Sequence, residues 1–313
     1  MDIRQLSYVV AVADHGGFSR AAEQLGITQP SLSQGVRALE NELGIDLFIR
    51  SGRQVRLTAA GEALVGPARQ AQRDLDTARA AVDAVRGLRG GRLDLVTLPT
   101  LAADPISGLI GRFRLDHPEV MVRMLEPDDA AAVGELIRSG SSELGACELP
   151  LPDNRGLVTH ELSEQEYQVV VPPATTERPK GQAGPTRPDH PIAIADLAAM
   201  PQVTTPTGTS TRTTLDQAFA RAGLHPLIAV ETDHREALIP LALAGAGAAL
   251  VPETLALAAR RRGAVTASVE PPIRRRVGLI HRDGSLSPAA AAFLEIALPE
   301  HHHQPHRPRA RRR

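Results

Sequence analysis

A long alanine-rich stretch carries apolar residues at alternating spacings of four and three. This pattern repeats every seven residues and places the apolar side chains in one stripe along a helix. A helix over residues 59–88 would be roughly 45 Å long, which is more than one small domain can cover. The chain of 313 residues is therefore expected to fold as separate units on either side of this helix. The stripe comprises Leu64, Ala68, Ala71, Leu75, Ala78, Val82 and Val85.

An apolar stripe of this length needs a partner surface. The sequence leaves two possible partners for the stripe, a second copy of the chain and the surface of the same chain. Since no adjacent segment has a matching stripe, the sequence favours a helix that pairs two copies of the chain.

The segment before this helix, residues 1–58, contains three short amphipathic helices separated by glycines. Gly16-Gly17 ends the first helix, Gly26 the second and Gly44 the third. Residues 49–57 can then form a two-stranded wing around Gly52. The pattern predicts an all-α winged helix-turn-helix. Its apolar positions are Ile3, Leu6, Val10 and Ala13 in the first helix, and Leu32, Val36, Leu39 and Leu43 in the third.

The third helix has a polar face opposite its apolar stripe. Thr28 can cap this helix, and Pro30 falls in its first turn, where a missing N–H does no harm. Hydroxyl, amide and guanidinium groups at a helix N-terminus suit the base edges and phosphates of a major groove. A purely structural helix more often carries pairs of Glu and Lys there. The candidate DNA-contacting residues of this helix are Thr28, Gln29, Pro30, Ser31, Ser33, Gln34 and Arg37.

Positive charge in residues 1–58 is concentrated. The segment has six arginines and six acidic residues, yet three of the arginines fall between Arg50 and Arg56. Arg50 and Arg53 lie on the predicted wing, where they can reach DNA phosphates or the minor groove. We therefore expect affinity for double-stranded DNA to come from a few placed arginines and from two copies of the domain.

These motifs resemble the LysR-type transcriptional regulators. The resemblance is strongest over Phe18–Gly61, in the paired alanines at 21–22, Thr-Gln-Pro-Ser at 28–31, Leu-Glu at 39–40, Leu-Phe-x-Arg at 47–50 and Leu-Thr-x-x-Gly at 57–61. It implies a linker helix that dimerises, often within a tetramer, and it admits RNA polymerase as a further partner. It also implies that Gln29, Pro30, Ser33, Gln34 and Arg37 meet bases or phosphates, while Arg50 and Arg53 hold the DNA backbone.

Residues 89–299 alternate short β-rich runs with helical stretches. Such alternation predicts an α/β fold with parallel sheets built of βαβ units, whose ligands collect at the carboxyl ends of the strands. The resemblance implies more specifically a two-lobed effector domain like a periplasmic binding protein, with a small inducer between the lobes.

Three hydroxyl-rich stretches, at residues 99–100, 204–210 and 232–234, match the segments that line this cleft in the family. Each can form an anion cradle or can simply cap a helix, and both interpretations stay open. Acidic residues at 126–129 and at Glu148 face the same expected cleft and oppose a purely anionic ligand. The candidate effector-binding residues are Thr100, Leu101, Asp128, Thr204, Thr205, Thr207, Thr232 and His234.

Three other features have two interpretations each. The proline-rich stretch Pro172–Asp189 is an insertion relative to the family pattern, and it is either inert or alters access to the cleft. Residues 300–313 form a basic tail, expected to be disordered, which either has no role or adds phosphate affinity and a metal-binding His301–His303. Cys147 is the one cysteine, and we expect it to serve packing more than redox sensing.

Other function classes lack their motifs. We find no nucleophile elbow, phosphate-binding loop or metal-ligand cluster, and the glycines of Ala244–Gly247 precede a predicted strand instead of following one. Enzymatic activity, a bound metal and any cofactor other than a small co-inducer are therefore not expected. Residues 1–10 lack the pattern of a signal peptide and no apolar run reaches about 20 residues, so we expect a cytoplasmic protein without membrane contact.

Overall fold

The computed structural model describes residues 1–51, 54–85, 91–172 and 190–298. Within these ranges, the side chains of residues 50, 51, 54, 76, 77 and 80–85 are not described. Residues 173–189 of the predicted insertion and the predicted tail at 300–313 lie outside the described residues.

The N-terminal unit is the predicted winged helix-turn-helix. A single hydrophobic core joins its helices, with Leu32, Val36 and Leu39 of the third helix completely buried. Thr28 caps the third helix, and Pro30 lies in the first turn as expected. The elements are α1 (Ile3–His15), α2 (Phe18–Gln24), α3 (Gln29–Leu43), β1 (Phe48–Ser51), β2 (Gln54–Leu57) and the linker helix α4 (Ala59–Val85).

The Leu-Thr-x-x-Gly motif fixes the start of α4 against the wing. The hydroxyl of Thr58 donates to the carbonyl of Asp46 at 2.7 Å and accepts from the N–H of Gly61 at 3.0 Å. A side chain at position 61 would place its Cβ 2.2 Å from the carbonyl oxygen of Leu47. Gly61 is therefore the residue that allows this close approach of helix and chain.

The first turns of α4 pack against α1 of the same chain. Ala68 is buried there, and Leu64 and Ala71 are partly buried against the same core. The chain's own surface therefore covers the first half of the heptad stripe, through a helix that is distant in sequence. The stripe continues beyond this contact through Leu75 and Ala78.

Two arginines attach α4 to the C-terminal part of the chain. Arg69 donates to the hydroxyl of Ser141 at 2.8 Å, and its other terminal nitrogen forms an ion pair with Asp14 of α1. One turn later, Arg73 donates to the carbonyl of Gly140. Burial and the neighbouring Arg282 lower the pKa of Arg73 to about 10, which still leaves it charged at neutral pH.

The remaining chain folds into two α/β lobes with separate hydrophobic cores. Its strands are β3 (Gly91–Thr97), β4 (Val120–Leu125), β5 (Leu144–Leu149), β6 (Leu157–Val171), β7 (Ile192–Ala193), β8 (Pro201–Thr204), β9 (Leu227–Glu231), β10 (Ala249–Pro252), β11 (Val265–Glu270) and β12 (Arg274–Arg282). Its helices are α5 (Pro99–Leu101), α6 (Ser107–Asp116), α7 (Ala130–Arg138), α8 (Ile194–Ala198), α9 (Ser210–Arg221), α10 (Leu238–Leu243), α11 (Glu253–Arg260) and α12 (Pro288–Ala297), with helical turns over Ala102–Ile106 and Arg235–Ala237.

The core of lobe 1 is formed by residues within 93–151 and 277–293, and the cores of lobe 2 by residues within 167–273. The long strand β6 runs through both lobes. In lobe 1 the strand order is β4-β3-β5-β12-β6, while β10 and β11 pair with the last residues of β6 in lobe 2. The chain thus passes between the lobes twice, into lobe 2 along β6 and back into lobe 1 at β12. A hydrogen bond of 2.8 Å from the N–H of Tyr167 to the carbonyl of Ile273 joins these two connecting segments.

The fold class is confirmed, and the predicted parallel sheets are present in part, together with antiparallel strands. Strands β3, β4 and β5 are parallel, as are β8 and β9. Strand β12 runs antiparallel to both β5 and β6, because it re-enters lobe 1 from lobe 2.

Replacement of Gly61 by alanine tests the packing of α4 on the wing. Gly61→Ala should lower the stability of the N-terminal unit by about 1–3 kcal/mol, the usual cost of overpacking, and should weaken DNA binding. Gly17→Ala is the matched control, since its added Cβ has no atom within 4 Å. Thermal unfolding of both variants checks this, and equal melting temperatures would contradict the assigned contact.

Candidate DNA-binding face and interlobe cleft

The N-terminus of α3 is organised by side chains of the Thr-Gln-Pro-Ser motif. The Oγ1 of Thr28 accepts from the N–H of Ser31 at 3.4 Å and lies 2.8 Å from the hydroxyl of Ser31. Thr28, Gln29, Pro30 and Ser31 are all exposed. The motif therefore begins the helix and also leaves its first turn open to solvent.

The exposed face of α3 borders a shallow depression of about 640 Å³. Gln29, Gln34 and Arg37 are exposed along it. Arg37 has no ion pair or hydrogen bond from its side chain within the described part of the chain, so its guanidinium is available to a partner. Asn41 also borders the depression, and it was missed although it continues the spacing of Gln29 and Arg37 by one further turn.

Ser33 differs from the prediction that placed it on the exposed face. Its residue surface is 9% exposed, because position 33 lies at the edge of the apolar stripe beside Leu32. Its hydroxyl accepts from the side-chain amide of Gln29 at 2.8 Å. Ser33 therefore orients Gln29 along the helix face.

The wing is tied to α3 by Glu40. One carboxylate oxygen of Glu40 accepts from the N–H of Leu47 at 2.9 Å and of Phe48 at 3.3 Å. The backbone of Arg50 pairs with that of Val55 in the wing. The side chain of Arg50 and the whole of Arg53 lie outside the described residues, so their expected phosphate contacts stay predictions.

The first hydroxyl-rich stretch is split between the cleft and the core. The hydroxyl of Thr100 accepts from Nη2 of Arg275 at 2.9 Å. Leu101 is 1% exposed and packs in the core of lobe 1, and its N–H donates to the carbonyl of Leu98 at 2.8 Å, so neither group is open to an effector. Strand β3 ends just before this turn, and the next side chain after Thr100 points back into the lobe.

The second stretch is mostly buried. Thr204 and Thr205 are 2% and 0% exposed, and the hydroxyl of Thr205 lies 2.6 Å from that of Thr209, which caps α9. Thr209 is therefore the cap of α9, and Thr205 supports it through this hydrogen bond. Thr207 is exposed and lines a depression of about 510 Å³ at the mouth of the cleft.

Asp128 and the third stretch lie near this mouth, but only Asp233 of the stretch lines the depression. Asp128 of lobe 1 forms an ion pair of 2.9 Å with Arg235 of lobe 2, and its carbonyl accepts from the N–H of Ser210 at 2.9 Å. The hydroxyl of Thr232 accepts from the N–H of His234, whose side chain is 79% exposed. The structure thus brings Asp128 and Thr207 to one depression, which Thr232 and His234 do not line.

A second depression, of about 710 Å³, lies between the lobes. A polar network at its wall centres on Arg275, the second residue of β12, whose residue surface is 7% exposed. The guanidinium donates to Glu148 at 2.7 Å and to Gln165 at 2.8 Å, besides Thr100. The hydroxyl of Ser210 in lobe 2 donates to the same oxygen of Glu148 at 2.7 Å. Sequence reasoning missed Arg275 and Gln165.

Two buried groups adjoin this network. Tyr167 is completely buried beneath Arg275, and its hydroxyl lies beside the side chains of Arg275 and Thr214. Burial raises the pKa of Tyr167 to about 12. Burial, together with the charge of Glu148, likewise raises the pKa of the Cys147 thiol to about 12.

Comparison with known proteins identifies the family. Residues 3–62 match the family described as bacterial regulatory helix-turn-helix protein, lysR family, and residues 86–301 match the LysR substrate binding domain. The RuBisCO operon transcriptional regulator of Allochromatium vinosum is 30% identical, over 96% of this chain and 96% of its own length. The regulator IlvR of Caulobacter vibrioides is 32% identical, over 95% of this chain and 97% of its own length.

The chain belongs to the LysR family. It is a LysR-type transcriptional regulator with a helix-turn-helix DNA-binding domain and a substrate-binding domain, and not an enzyme. LysR regulators bind DNA and small-molecule effectors and form oligomers.

Solved structures of LysR regulators share the fold. Full-length CbnR complexed with its target DNA has a TM-score of 0.61 and 27% identity, covering 96% of this chain and 99% of CbnR. A full-length OxyR variant from Pseudomonas aeruginosa has a TM-score of 0.71 and 22% identity, covering 95% of this chain and 93% of OxyR. No helix among the described residues is both long enough and apolar enough to span a membrane.

The reactivity of Cys147 tests its buried position in this LysR regulator. The thiolate is the reactive form, and a raised pKa together with burial keeps the thiol protonated and covered at neutral pH. A colorimetric thiol reagent at pH 8 should therefore react at least about a hundredfold more slowly with the folded protein than with the denatured protein. Equal rates would show that Cys147 is accessible, as a redox sensor requires.

Proposed function

We propose that α3 enters the major groove of operator DNA and that Gln29, Gln34 and Arg37 contact base edges and phosphates there. The observation that carries this proposal is the exposed polar face of α3, on which Arg37 has no partner within the described chain. Asn41 extends this face, and Ser33 acts indirectly by holding the amide of Gln29. Arg50 and Arg53 of the wing hold the DNA backbone.

Two copies of the domain bind together. Residues 1–58 carry equal numbers of arginines and acidic residues, so one domain offers few phosphate contacts and should bind weakly. The second half of the α4 stripe, from Leu75 onward, is the surface by which two α4 helices pair. The domain boundaries at 58–59 and 88–89 are part of this proposal. Either a dimer or a tetramer satisfies it.

The effector binds in the cleft between the lobes and alters the DNA-binding unit through α4. Support comes from the contacts of Arg69, which joins Ser141 of lobe 1 to Asp14 of α1 through one side chain. A displacement of lobe 1 therefore acts directly on the helix that carries the DNA-binding unit. Such a function belongs in the bacterial cytoplasm, where the operator lies. RNA polymerase is the further partner that control of transcription implies.

Removal of Arg37 tests the role of α3. Arg37→Ala should weaken the binding of a duplex, enriched by the full-length protein from a random pool, by at least about tenfold, since each lost contact costs about 1–3 kcal/mol. Fluorescence anisotropy over a range of salt concentrations measures this loss. Addition of Gln29→Ala should weaken binding further.

Arg262→Ala is the matched control, because it removes the same charge from the exposed turn after α11. It should leave DNA affinity unchanged. Undiminished binding by Arg37→Ala, or an equal loss in both variants, would contradict the assignment of α3.

A further inference from the structure

The wall of the interlobe cleft contains one buried pair of opposite charges. The side chains of Arg275 and Glu148 are 5% and 25% exposed and lie 2.7 Å apart. The neighbouring arginines of β12 are more than half exposed and pair with other carboxylates, Arg274 with Glu166 and Arg276 with Glu161. The buried part of the cleft therefore has no net charge.

The carboxylate of Glu148 occupies an anion site at the start of α9. It accepts from the guanidinium of Arg275 and from the hydroxyl of Ser210, the first residue of this 12-residue helix. The positive end of the helix dipole also favours a carboxylate at this position. Arg275 and Ser210 thus hold a carboxylate that belongs to the protein itself.

One hydrogen-bonding atom of this pair remains unused. Both bonds to Glu148 use one oxygen, and its second oxygen has no hydrogen bond within the described chain. Glu148 lines the depression with a side chain that is 25% exposed, so this second oxygen is open to a ligand in the cleft. The adjoining space of about 710 Å³ accommodates a small molecule.

A simple anion fits this pair poorly. Its charge would leave the buried site with two carboxylates and one guanidinium, and an uncompensated buried charge is strongly unfavourable. A simple cation would leave the opposite imbalance. A molecule with one carboxylate and one ammonium keeps the site neutral, since each of its charges can meet one member of the pair.

We infer that the effector is a zwitterion of the α-amino acid class. Its carboxylate takes the place of Glu148 beside Arg275 and Ser210, and its ammonium binds the carboxylate of Glu148. This inference rests on the proposed function of the cleft. It also accounts for the acidic residue that opposes a purely anionic ligand.

The test measures binding to the full-length protein by calorimetry and thermal shift. The probes are the proteinogenic amino acids, each compared with the amine that lacks its carboxylate and with the carboxylic acid that lacks its ammonium. At least one amino acid should bind at least about tenfold more tightly than both of its analogues, because each analogue leaves one charge of the pair unmatched.

Glu148→Gln separates the class of ligand from the location of the site. It should reverse the preference, so that the carboxylic acid analogue binds more tightly than the amino acid. Glu135→Gln, which removes an exposed carboxylate from its pair with Arg138 outside the depression, should leave the preference unchanged. Retained DNA binding and a cooperative melting transition show that the Glu148→Gln protein is folded.

Three outcomes would overturn the inference. Tighter binding of carboxylic acids than of amino acids to the wild type, with an effect of Glu148→Gln, rejects the zwitterion and leaves the cleft as the site. If no probe binds, the amino-acid class is rejected and the proposed role of the cleft is unaffected. Amino-acid binding that Glu148→Gln leaves unchanged places the site elsewhere and also rejects the proposed role of the cleft.

Discussion

The guanidinium of Arg275 is buried where the chain crosses from one lobe to the other. It bonds to Thr100 and Glu148 of lobe 1 and to Gln165 of the shared strand β6, and Glu148 bonds in turn to Ser210 of lobe 2. A charge buried to this extent is stable only while its partners stay in place. The separation of the lobes and the charge of the cleft are therefore fixed together, and a ligand that rearranges one of these bonds affects both lobes.

The linker helix extends this dependence to the DNA-binding unit. Its first turns share a core with α1, and its middle is attached to lobe 1 through Arg69 and Arg73. Arg69 contacts lobe 1 and the DNA-binding unit at once, so the position of lobe 1 and that of α1 are linked through one side chain. Helix α4 therefore contacts both the DNA-binding unit, through α1, and lobe 1.

Local signals in the sequence predicted the DNA-binding unit well. The helices, the Thr28 cap and the wing depend on spacings of three and four residues and on nearby glycines, and all of these can be read within one segment. Ser33 was placed wrongly, because its position at the edge of the core stripe is decided only by the packing of α3. The position of Arg275 could not be predicted in this way, because Thr100, Glu148 and Gln165 lie 110 to 175 residues away along the chain. The hydroxyl-rich stretches were a weaker guide, since a threonine that caps a helix and one that binds an anion look alike in sequence.

In the proposed function, two copies of α3 read operator DNA as a symmetric assembly. Sequencing of the duplexes that the full-length protein enriches from a random pool should reveal two related half-sites in inverted order, with centres separated by a multiple of about 10.5 base pairs. A single, unrepeated site that one copy of the chain binds with full affinity is incompatible with this arrangement.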